Sequence, residues 1–304
     1  MGEVFVRAAV LIAIIGMGYG IKRLGWVSLD DFPTISRVVL RITLPCALIT
    51  SFNEFHLTPG LLLLCVIGAA AVLSQQVAVG ALERRRGRPA QAFGVINVPN
   101  YNIGLFAMPY VATFAGPQAI VLTALFDLGN SLVSAGIGYG WGLMWARPQL
   151  RVTVAKFVRQ VFSSAVFDTY LALLILRLLD VALPPPVIAF TSTVGGANTF
   201  LAMLMIGIGL EVVLSPAKYA TAARYLGYRY GFALLFALVV WFALPLDAPV
   251  KVVLCMVFFA PMAAMVTGFT GEAGLDVEVS AFMTSLTTLV AVVAMPAIFL
   301  VLSP

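Results

Sequence analysis

Apolar runs separated by short polar or turn-forming stretches repeat along the whole chain. They lie near residues 4–21, 35–52, 60–82, 91–114, 117–144, 160–180, 186–213, 222–244, 250–270 and 279–302. Each is about as long as the roughly 20 apolar residues that cross a bilayer core as a helix. The stretches between them read KRLGW, NEFHLTPG, RRRGRP, AGPQ, ARPQLR, DVALPPP, SPAKY, PLDAP and GEAGLD. They combine Pro, Gly, Asp, Asn and charge as helix ends and turns do. The pattern predicts an all-α integral membrane protein of ten transmembrane helices. The first run has no A-x-A cleavage site after it and is read as an uncleaved helix.

Two runs carry a proline near their middle. Run 4 contains INVPNYNIGLFAMP and run 9 contains FFAPMAAMVTG. At 1.5 Å per residue, Pro99 and Asn102 fall roughly 12–17 Å deep in a core about 30 Å thick, and Pro261 falls about as deep. Proline removes a backbone donor and clashes with the preceding turn, so it breaks or kinks a helix. Non-helical backbone at that depth persists where it packs in protein or lines a cavity. The two prolines are offset much as the starts of runs 1 and 6 are, near residues 5 and 165. Such spacing predicts two five-helix repeats, 1–148 and 149–304, within a single membrane domain. Five is odd, so the second repeat is inverted, and interrupted helices in matching positions point to a transporter binding site.

The candidate chemistry follows from depth. Broken helices leave two half-helix N-termini at mid-membrane, each with unpaired N–H groups and about +0.5 of an elementary charge. No Lys or Arg is placed at that depth, so these ends are expected to be the main fixed positive feature and to favour an anion. The candidate substrate site is Pro99, Asn100, Asn102, Gly104, Pro261, Ala263, Ala264 and Met265, with Asn198 from TSTVGGANT as a further lining group. Asn97 is placed to bond freed backbone groups or a ligand. Thr284, Ser285, Thr287 and Thr288 either line the pore or hydrogen-bond between helices. Asp127, in LTALFDLGNSLV, also lies near the midplane, with Asn130 and Ser131 on the same helical face. A carboxyl there costs at least about 2.5–3.5 kcal/mol on insertion scales and is a functional candidate, here for ion coupling or gating.

Composition narrows the reading. Of 304 residues, 62% are hydrophobic and 10% charged, against roughly 25% charged in soluble domains, so no separate soluble domain is expected. The net charge of +5 follows from basic cytoplasmic loops and does not call for nucleic acid. With the N-terminus outside, the odd-numbered loops and their helix ends hold 15 of the 18 basic residues, Arg224 and Arg229 among them. The positive-inside rule therefore places both termini outside. Arg37 and Arg41 are expected to snorkel to the headgroups, with Arg41 deep enough to reach a cavity. The RRRGR cluster is either a topology anchor or a lipid site. The glycines of GIGYGWG and IGMGYG are read as close helix packing. No metal or cofactor is expected: Cys46, Cys65 and Cys255 sit in apolar runs without ligand spacing, and His56 stands in a short outer loop.

At these residues the chain resembles the auxin efflux carrier family of membrane transporters. Bacterial members look like N-x-G-x-x-G-x-P in the fourth span; here Asn102, Gly104 and Pro109 match, with Ala107 in place of the second Gly. The resemblance continues through RITLPCALI, ANTFLAMLMIGIGLEV, FFAPMAAMV and GLDVEVSAFMTSLTTL. It implies the ten-helix fold of bile acid:sodium symporters, with helices 4 and 9 broken and crossing, and transport of auxin-like monocarboxylates or of dicarboxylates such as malate or malonate. The acid expected at the sodium site of bile acid symporters is replaced by Pro261-Met262-Ala263-Ala264-Met265.

The function expected is therefore elevator-type transport of a small organic anion across a bacterial inner membrane. One rival is a sodium-coupled, bile-acid-like symporter, and another is a receptor with a transporter fold and no flux. An intramembrane hydrolase would need a second mid-membrane Asp or a Ser/His pair, and neither is visible, so no enzyme is expected. The expected partners are the anion and the lipid bilayer, with homodimerisation left open.

Overall fold

The computed structural model describes residues 2–53, 55, 58–149, 159, 162, 164–210 and 213–303. His56, Arg151 and Lys156 lie outside the described residues. Among the described residues the chain is helical throughout, with no strand. Twelve helices follow in order: α1 Gly2–Arg23, α2 Leu29–Asn53, α3 Gly60–Leu82, α4 Arg88–Asn97, α5 Ile103–Ala115, α6 Gln118–Ala146, α7 Ala165–Leu178, α8 Pro185–Gly209, α9 Pro216–Ala243, α10 Ala248–Phe258, α11 Met265–Glu272 and α12 Val277–Leu302. Seven of them (α1, α2, α3, α6, α8, α9 and α12) are long and apolar enough to cross a membrane.

The helix ends use the residues that the turns supply. Ser28 opens α2 with a capping box that pairs it with Asp31. Asp276 accepts from the Val279 N–H to start α12, and Ser164 accepts from the Phe167 N–H to start α7. Pro185, Pro216 and Pro249 stand in first turns, where a missing N–H is not needed. Large apolar side chains face outward: Phe5, Val66, Phe190, Phe242 and Val293 are each at least 60% exposed. Water would not tolerate so continuous an apolar exterior, whereas lipid would. The molecule is an α-helical membrane protein.

Lipid offers no hydrophobic drive between helices, so close backbone approach holds them together. A Cβ added at Gly129 on α6 would lie 1.9 Å from the Cys65 carbonyl oxygen of α3, and one at Gly68 would lie 2.2 Å from that of Phe126. The pair α1 and α8 repeats the device, with 2.1 Å at Gly18 and 2.0 Å at Gly207. Gly18 belongs to IGMGYG, and Gly138 and Gly142 of GIGYGWG pack as tightly on Gln76 and Ile96. The glycine runs are packing surfaces.

Both proline-bearing runs are interrupted. Helix is absent over 98–102, between α4 and α5, and over 259–264, between α10 and α11. The two breaks touch: the Asn102 N–H donates to the Pro261 carbonyl at 2.8 Å. They lie inside the protein, with Val98, Tyr101, Ala260 and Met262 buried, which is where irregular backbone can survive at membrane depth.

Candidate functional site

Each break frees backbone groups, and the surrounding side chains take them up. The Asn100 amide donates to the Ile96 carbonyl at 2.5 Å. The Met262 N–H is accepted by Thr287 Oγ1 at 3.0 Å. Asn97 accepts from Ser280 Oγ at 2.6 Å and donates to Thr270 Oγ1 at 3.0 Å, which joins α4 to α11 and α12. The freed carbonyls of Val98, Asn100 and Ala260 all accept from Arg229. Apart from the local Asn100–Ile96 bond, each contact joins a group near a break to a partner 25 or more residues away in the chain.

Arg229 corrects the sequence reading twice. It was placed at a cytoplasmic helix end, and no basic residue was expected at the depth of the breaks. The structure puts it in the middle of α9, 1% exposed, with its guanidinium on the breaks themselves. An Arg near the middle of a long apolar helix, at YRYGF, was the available signal.

On the other side of the breaks lies a cavity of about 540 Å³. Its wall includes Asn100, Asn102, Gly104, Ala263, Ala264, Met265, Asp127, Asn130 and Ser131. The sequence had assigned these to two separate clusters, and the structure brings them to one space. Pro99, Pro261 and Asn198 do not border it. The prolines shape the breaks, and Asn198 accepts a hydrogen bond from Thr43 Oγ1 at 3.0 Å, joining α8 to α2. Thr284, Ser285, Thr287 and Thr288 also stay off its wall. Tyr101, Ser36, Ser134, Ser164, Arg37 and Arg41 complete the polar lining.

Three features make this space unusual. First, the N-terminal ends of α5 and α11 both open on it, through Asn102–Leu105 and Ala263–Met265. The first turns of these helices have N–H groups with no acceptor in their own helix. Second, every π-helical segment among the described residues contributes to the wall: Val39–Thr43 in α2, Ile103–Ala107 in α5 and Leu132–Gly138 in α6. Such widened turns concentrate at functional sites. Gln76 takes up one carbonyl in the last of them, Val133, at 3.3 Å. Third, the side-chain oxygen of Asn130 is buried with no hydrogen-bond partner among the described residues.

Asp127 is buried and fully engaged as an acceptor. One oxygen accepts from Asn130 Nδ2 at 2.7 Å and Ser131 Oγ at 3.1 Å; the other accepts from Tyr170 Oη at 3.1 Å. Tyr170 comes from α7 and was not foreseen. Arg41, by contrast, is exposed to the cavity and makes no hydrogen bond or ion pair among the described residues, and the Asn102 side chain is likewise unbonded. Arg37 is held to its own helix by Pro33 and Thr34. The groups free to meet a ligand therefore include the Arg41 guanidinium and the Asn102 amide as donors, beside the unpartnered Asn130 Oδ1 as an acceptor.

A second, larger groove of about 850 Å³ runs along α1, α12 and the residues just after α8, lined mainly by apolar residues with Lys22 and Arg23 at one end. It lies on the outward apolar side, away from the breaks, and volume alone does not make it the site. At the end of α3, the buried Glu83 carboxylate pairs with Arg224 of α9 at 3.0 Å and with Arg86 at 3.4 Å, so part of the RRRGR cluster serves packing.

Fold and cavity thus define a helical membrane protein with a cavity at its interrupted helices, lined by polar and apolar side chains. No protein-family model matches the chain. It is similar to a protein described as an uncharacterized transporter from Methanothermobacter thermautotrophicus, with 27% identity over 142 residues. The match covers 45% of this chain and about half, 47%, of that relative.

Proposed function

We propose that this chain is a secondary transporter for a small organic anion, bound in the cavity between the two breaks. One observation carries the reading: two half-helix N-termini and Arg41, unpaired among the described residues, open on the same cavity. Oriented N–H groups and a guanidinium favour a carboxylate. The volume suits a small molecule, since ligand sites run to roughly 300–1,000 Å³. The apolar wall from Leu40, Ile103, Leu105 and Val166 suits the remainder of an auxin-like monocarboxylate or a short dicarboxylate. A relative described as a transporter supports transport over passive binding.

In this reading α4 with α5, and α10 with α11, are two broken spans that cross. With α7 they complete ten spans in two inverted repeats, both termini outside the bacterial inner membrane, as in the auxin efflux carrier family. Movement is of the elevator type.

The test is ligand-induced thermal stabilisation of purified protein, followed by flux in liposomes with and without sodium. Indole-3-acetate, malonate and malate are compared with their amides. The acids are expected to stabilise and to exchange across the membrane, and Arg41→Gln to weaken binding roughly 10-fold or more, as loss of a charge-assisted hydrogen bond does. Preference for the amide or for an organic cation would sink the anion site. Saturable binding without flux would make the protein a receptor.

A further inference from the structure

The breaks also end two helices, and their C-termini have a chemistry of their own. Three carbonyl oxygens converge at one point: Val98 and Asn100 after α4, and Ala260 after α10. Arg229 Nη1 donates to the first two at 2.6 and 3.0 Å, and Nη2 donates to the third at 2.6 Å. The guanidinium is 4.8 Å from the centre of the Tyr101 ring, and Tyr101 also borders the cavity. Arg229 is buried, and among the described residues no carboxylate pairs with it. A buried charge needs compensation. Each helix C-terminus carries about −0.5 of an elementary charge, so the two ends together offset about one positive charge.

Converging carbonyls at two half-helix C-termini are what a small cation would bind in a discontinuous-helix transporter. We infer that Arg229 is the resident cation of this seat: its guanidinium fills the place between the two half-helix C-termini, and no metal ion binds there. The same fork ties both breaks into one body, since its acceptors come from both. It thereby positions the N-termini of α5 and α11 toward their common cavity without touching a ligand itself. The inference rests on the geometry of the breaks and holds whatever the cavity binds.

The test is chemical rescue, read as thermal stability of the purified full chain with no substrate. Arg229→Ala is expected to lower the melting temperature by about 5 °C or more. Added guanidinium chloride at millimolar levels should return part of that loss by mass action, while choline chloride returns none. The wild type should melt alike in sodium, potassium and choline chloride. An Arg229→Ala variant as stable as the wild type overturns the inference, as does a loss that guanidinium restores no better than choline. A sodium- or potassium-specific stabilisation of the wild type that disappears in Arg229→Ala overturns it too. If the Ala variant does not fold, Arg229→Lys carries the test. It keeps the charge but not the fork, and wild-type stability in it refutes the need for a guanidinium. None of these readouts uses an organic anion, so failure here leaves the anion site standing, and the reverse.

Discussion

Asn102 separates structural from binding roles within one residue. Its backbone N–H holds the two breaks together through the Pro261 carbonyl at 2.8 Å, and its carbonyl accepts from the Ala107 N–H at 3.0 Å to begin α5. Its side chain caps nothing and faces the cavity. Asn102→Ala keeps both backbone bonds. An N-cap asparagine usually contributes about 1 kcal/mol through its side-chain bond; that bond is absent here, so stability should change by a few tenths of a kcal/mol. A carboxylate in the cavity would lose one charge-assisted hydrogen bond, about 1–3 kcal/mol, or roughly 5- to 150-fold in Kd. Calorimetric or thermal-shift titration of the wild type and variant with the best-binding acid measures the two effects side by side. Affinity within twofold of wild type would refute the role of the side chain. A large loss of melting temperature with no ligand present would refute the division itself.

Asp127→Asn replaces an acceptor with a group that meets donors from Asn130, Ser131 and Tyr170; a loss of about 1–3 kcal/mol in stability and an altered pH profile of flux are expected. Wild-type melting and flux at every pH would leave that carboxylate without a role. Gly129→Ala drives a Cβ to 1.9 Å from the Cys65 carbonyl oxygen, and overpacking of this kind costs about 1–3 kcal/mol. Gly231→Ala on α9, where a Cβ meets nothing within 4 Å, should be neutral or stabilising by up to about 1 kcal/mol; equal melting temperatures for the two variants would contradict the packing account. For orientation, Gly87 and Gly116 hold φ of 90° and 86°, so reporter cysteines belong beside them. Arg85→Cys should react with an impermeant thiol reagent from the cytoplasm and Gln118→Cys from outside; the opposite pattern would invert the topology.

The positions of the apolar helices were legible from residue type alone, because lipid imposes one rule on every spanning segment: about 20 apolar residues, ended by charge or a breaker. The runs expected at 60–82 and 279–302 are helical over Gly60–Leu82 and Val277–Leu302. The two interruptions were legible for an equally local reason, since Pro99 and Pro261 each remove a donor from their own helix. Asp127, Asn130 and Ser131 could be grouped because three- and four-residue spacing sets one helical face. The seat of Arg229 was not legible. Its acceptors lie 131, 129 and 31 residues away, and a count of basic residues treats an arginine at a helix end and one at a buried break alike. Tyr170 on Asp127, 43 residues apart, has the same origin, as does the failure of Asn198 to reach the cavity when Thr43 faces it instead. Local sequence determined where helices start, stop and break, because those choices depend on covalent geometry and neighbouring turns. Which freed carbonyl meets which side chain was decided by tertiary packing alone, because hydrogen-bond partners in a helical membrane protein come from other helices and periodicity does not encode which ones.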